Sequence, residues 1–85
     1  MDERLIVPVR ECAGGVVSVR TARADSGERV GLAFTSEARL RAALGDGQRW
    51  IAMAEPALRS MLRPLAVTRI QTDPVLVSRS RRVAA

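Results

Sequence analysis

Arg29 to Leu44 reads RVGLAFTSEARLRAAL, and the reading of this stretch decides the fold. Val30, Leu32 and Phe34 alternate with Arg29, Gly31 and Ala33. A period of two over an apolar run predicts a strand. One face carries the large side chains. The other carries Gly and Ala, which lets a helix or a second backbone approach closely. Thr35 or Ser36 then offers a side-chain oxygen to a free N–H of a first helical turn. Glu37 sets negative charge at the positive end of the helix dipole and stands four residues before Arg41, the favoured orientation. Ala, Leu and Arg fill Ala38 to Leu44, and all are strong helix formers. Gly45 is the stop. Residues 37–42 also alternate polar and apolar, but the cap, the propensities and the glycine decide for helix.

Working outward, Arg4 to Val9 (RLIVPV) predicts a strand with Leu5, Val7 and Val9 on one face. Pro8 lacks an N–H, so this strand is expected to lie at a sheet edge or to carry its proline outward. Glu11 to Gly15 forms a turn, and Val16 to Ala22 a second strand. Asp25-Ser26-Gly27 turns that strand into the central one as a hairpin. After the helix, Gly45-Asp46-Gly47-Gln48 turns again, and Arg49 to Met53 predicts a short buried strand. Glu55-Pro56 opens a second helix, with Pro56 suited to its first position. Leu58, Met61, Leu62 and Leu65 make the cleanest amphipathic stripe in the chain. Ala54 stands where a capping Ser or Thr is expected, at a cost of about 1 kcal/mol. Pro64 ends this helix near Arg63. Val67 to Thr72 predicts a last strand, Asp73-Pro74 breaks it, and Val75 to Val77 extends it.

The resulting order is β-β-β-α-β-α-β, an α+β or α/β fold with a mixed sheet of about five strands and two helices. Two layers, with both helices on one face of the sheet, are the expected packing. One helix on each face is the alternative. The strands joined through helices are expected to run parallel. Residues 1–78 form one domain, and 79–85 (RSRRVAA) a disordered basic tail.

The 85 residues carry a net charge of +5, and every one of the cationic side chains is arginine. A coding bias explains that usage as readily as a function does. No apolar run approaches the length of a transmembrane helix. The acidic, short-run N-terminus lacks the polarity of a secretory signal, so a cytoplasmic protein is expected. The single Cys12 permits no internal disulfide. With no His, Lys or Tyr, the commonest general bases and the amine nucleophile are missing. No P-loop, dinucleotide fingerprint or metal spacing is present. The expectation is no enzyme, no metal and no cofactor.

The segments LIVPVR, GERVGLAFTSEARLRAALG and RWIAMAEPALRSMLRPLAVTRIQTDP resemble the small actinobacterial relatives of the SseB N-terminal domain. The likeness spans residues 4–77. Its most specific parts are the FTSE corner and the Asp73-Pro74 terminus. The resemblance implies an α/β domain of this strand order and a bacterial cytosolic origin. It brings no catalytic residues.

These readings favour a small accessory module that binds protein, either a second copy of itself as a homodimer or another partner. Leu5 and Val7 on the supposed edge strand are the candidate contact residues. Trp50 reads first as a core side chain, since a small domain needs its one large ring inside, and as the sharper alternative as a partner anchor. The alternative is arginine-mediated binding of nucleic acid. It would use Arg39 and Arg41, clustered with Arg49 at the first helix, and Arg79, Arg81 and Arg82 in the tail. Only Phe34 and Trp50 are aromatic, so base-stacking platforms are not expected.

Overall fold

The computed structural model of the chain describes residues 4–74. The central stretch folds as read: β4 spans Arg29–Ala33 and α1 spans Glu37–Leu44. Ser36 is the cap, its hydroxyl accepting the Arg39 N–H at 3.2 Å. Gly45 ends the helix at φ 99°, a conformation that only glycine adopts without strain.

Before it come β1 (Arg4–Glu11), β2 (Val17–Val19) and β3 (Thr21–Arg23). After it come β5 (Trp50–Ala54), α2 (Glu55–Leu62) and β6 (Ile70–Thr72). The fold is therefore mixed α+β, with the expected element order and one predicted strand divided in two. The division falls at Arg20. Its N–H still donates to Pro8 O at 2.9 Å, whereas Thr21 already pairs with Gly31 of β4. One bent segment thus joins two three-stranded sheets, ordered β2-β1-β5 and β3-β4-β6. Reciprocal hydrogen bonds between Ile6 and Phe34, 2.8 Å each way, also tie β1 to the end of β4.

β1 is not an edge. It lies between β2 and β5, antiparallel to both. Pro8 is tolerated there for a local reason. On β1's side away from β5, Ile6 bonds Phe34 and Arg10 aligns with Ser18 of β2. Pro8 faces Arg20 at the point where β1 changes partners: its carbonyl accepts the Arg20 N–H at 2.9 Å, and the return bond that an N–H would give is absent. The expectation of parallel strands holds for β4 and β6. It fails for β5, which joins the other sheet antiparallel to β1.

The helices take one face each. Leu5, Val7 and Val9 of β1 pack in a cluster with Val19, Ala33, Met53 and the α2 residues Leu58 and Leu62. Ile6, one residue out of phase, packs instead with Leu32, Phe34 and the α1 residue Leu40. A period of two hands alternate residues of β1 and β4 to opposite helices. Single-face packing accordingly gives way to the other arrangement. The small face of β4 is used as read. A Cβ at Gly31 would lie 2.5 Å from Leu62 Cδ1, so α2 sits as close as a glycine permits. Of the predicted α2 stripe, Leu58 and Leu62 are buried, while Met61 and Leu65 at the margin are 38% and 45% exposed. Val75 to Val77 and the basic tail lie outside the described residues.

Candidate functional site

Two features of the surface are candidates for binding: an edge strand and a groove of arginines. The edge strand is β5, WIAMA, which among the described residues is hydrogen-bonded to β1 alone. Its inward groups are fixed by the register, with Val9 N–H donating to Arg49 O at 2.9 Å and Val7 aligned with Ile51. The ladder alternates, so the polar backbone groups of Trp50 and Ala52 point away from β1. Among the described residues they meet no backbone partner. β5 carries no charge, proline or bulge, the devices by which natural edges avoid pairing. Ile51, on the α2 face, is 42% exposed. Trp50, on the other face, is half-buried against the Phe34–Leu40 cluster.

The residues singled out from sequence are placed differently from expectation. Val7 is fully buried, and Leu5 is partly buried against the same α2-side core. Trp50 lies on a true edge strand, partly in the core. Arg41 pairs with Glu37, and Arg39 stands 3.9 Å from Asp73. Arg49 leaves that neighbourhood for Glu11, at 3.2 Å. Arg79, Arg81 and Arg82 lie outside the described residues.

Arg59 and Arg69 are also paired, with Glu55 and Glu28. Arg10, Arg20 and Arg29 have no carboxylate partner among the described residues, and they converge. Together with Ser18, Val19, Thr21 and Leu65 they line an open groove of about 320 Å³. Arg20 is braced: it donates to Gln48 Oε1, and Gln48 Nε2 donates to Val9 O at 2.8 Å. No acidic side chain lines the groove. These three positions come from β1, the β2–β3 bend and β4, so no local sequence signal could group them. For β5 a signal did exist. Its run is free of charge and proline, whereas the supposed edge at Leu5 to Val9 contains Pro8.

A third site explains the FTSE corner. Asp73 follows β6 with a left-handed φ of 53°. Its carboxylate accepts the Thr35 N–H at 2.9 Å and the Thr35 hydroxyl at 2.8 Å. Its own N–H donates to Ala33 O at 2.8 Å. Partial burial opposes ionisation of Asp73, but the two Thr35 hydrogen bonds and the Arg39 charge outweigh it and hold the carboxyl below the ordinary range. The contact is structural: it latches the last strand to the start of α1.

Among the described residues no group of side chains could hold a metal ion, and no helix is long and apolar enough to cross a membrane. The family model described as SseB protein N-terminal domain matches residues 1–77. The Thr35–Asp73 latch joins the two most specific segments of that likeness. No curated protein and no solved structure matches the chain.

Proposed function

Because the chain belongs to the SseB N-terminal domain family, we propose that it is a non-catalytic accessory module that binds protein by accepting an extended strand on β5. The observation that carries this reading is the uncharged, proline-free edge with its outward backbone groups unpaired by any described residue. Main-chain hydrogen bonds supply affinity in such pairing, and alternate side-chain positions supply selectivity. Here those positions are Trp50 and Ala52 toward α1, and Ile51 toward α2. A cytoplasmic setting and a bacterial, actinobacterial source fit the arginine-rich, lysine-free composition. The test is a photo-crosslinking residue at Ile51, with a second at Val16, which is 60% exposed, as control. Adducts concentrated at Ile51 and lost with Ala52→Pro support the reading. Equal labelling at both positions sinks it.

A second reading has its own observation. Arg10, Arg20 and Arg29 around one groove suit the phosphates of a nucleic acid. It is distinct from Arg39 and Arg41, which stand in exposed ion pairs with Asp73 and Glu37. Fluorescence anisotropy with a labelled single-stranded oligonucleotide checks it. Three phosphate contacts give a log–log salt slope near −2. The slope should collapse when all three arginines become Gln. Binding that ignores salt rules the groove out.

A further inference from the structure

We propose that the strand β5 accepts is β5 of a second copy, antiparallel and centred on Ala52, so that the two sheets continue across a twofold axis. This rests on the reading of β5 as a docking strand and names its occupant. The ladder to β1 sets the phase. Inward-facing backbone groups belong to Arg49, Ile51 and Met53, and outward-facing ones to Trp50, Ala52 and Ala54. A symmetric antiparallel pair must be centred on an outward residue or between two of them. Ala52 is the middle of the strand, and centring there aligns the whole of it.

In that register Ala52 exchanges N–H···O bonds with Ala52 of the second copy. Ala54 N–H donates to Trp50 O at either end. Ile51 comes opposite Met53 of the second copy, so its exposed side chain stands beside an apolar neighbour that is itself largely buried under α2. Trp50 comes opposite Ala54, so the one large ring meets the small residue rather than its own image. Beyond the strand, Arg49 at one end comes toward Glu55, the first residue of α2, at the other, twice by symmetry. Each already holds an exposed ion pair, Arg49 with Glu11 and Glu55 with Arg59, which the new contact would share or replace. No like charges oppose each other anywhere in the alignment. Apolar positions and size are therefore self-complementary in a single register, with opposite charges just beyond it.

The test is cysteine crosslinking of the full chain in a Cys12→Ser background, with mass by light scattering and exchange of the Trp50 and Ala52 amides by NMR. Hydrogen-bonded antiparallel neighbours have Cα atoms about 5.5 Å apart, within disulfide range. Ala52→Cys alone should form a covalent dimer under mild oxidation. Ala54→Cys alone should not, whereas Trp50→Cys mixed with Ala54→Cys should. A dimer in solution, at least tenfold weaker with Ala52→Pro, completes the expected result. Proline fits there without disturbing β1, because the Ala52 N–H points outward. A dimer that ignores Ala52→Cys overturns the register. A monomer with fast amide exchange overturns self-pairing and leaves the edge open to another strand. A monomer with both amides protected overturns self-pairing and the docking-strand reading together, since the chain would then cover its own edge.

Discussion

Two of the terminal strands, β5 and β6, are guarded in opposite ways. β6 is three residues long, and Gln71 and Thr72 are exposed. Asp73 closes it at once by bonding both the backbone and the hydroxyl of Thr35. β5 is five residues long and uncharged, and runs directly into α2. Ala54 at that junction has no side-chain capping bond. A short polar strand pinned at its end offers a passing chain little to pair with, and a longer apolar strand offers a template. The β6 end is pinned by side-chain bonds to Thr35, whereas the outward backbone groups of β5 meet no backbone partner among the described residues.

The comparison breaks most strongly at Asp73. Asp73→Ala leaves the Thr35 N–H without its partner and removes a charged acceptor. It should cost about 1–3 kcal/mol, read as a lower denaturant midpoint. Faster exchange of the Thr35 amide would locate the loss at the latch. The same residue predicts a pH dependence. Its folded pKa is depressed below the ordinary 3.8, so its contribution is complete above that value and falls away as pH drops through the folded pKa. Acid titration should show this loss in the native protein and not in Asp73→Asn. A curve unchanged by Asp73→Asn would mean the latch contributes no charge-dependent stability.

At the other edge the effects are smaller and differ in kind. Ala54→Ser supplies the cap α2 lacks and should stabilise by about 1 kcal/mol, seen as a raised Tm. No gain would show that the strand-to-helix junction already satisfies those N–H groups. Smallest in stability is Ala52→Pro, expected within about 0.5 kcal/mol of the parent because it touches no internal bond. Its large effect should fall on association alone. Substantial unfolding by Ala52→Pro would show that β5 is not an outer strand, and the contrast between the two edges would dissolve.

Much of this was legible in the chain. The strand-to-helix unit, the Ser36 cap, the Gly45 stop and the uncapped start of α2 depend on residues within a turn of one another. The groove of Arg10, Arg20 and Arg29 was not, because its residues come from three separate segments. Leu5 and Val7 illustrate the limit most sharply. Pro8 marks a place with no N–H to offer, and a sheet edge is the commonest such place. A point where a central strand changes partners serves equally well, and only the neighbours distinguish the two.

The sequence by itself determined the elements, their order, and the alternation of side chains along β1 and β4. Periodicity and capping are local, so they are written in consecutive residues. Which strand became the edge, that each helix took its own face, and that Asp73 reached Thr35 were decided by the tertiary structure. These depend on contacts between residues far apart in the chain, among them the 38 positions that separate Thr35 from Asp73. A strand's own pattern fixes which way its side chains point, and the assembled sheet alone fixes what stands beside it.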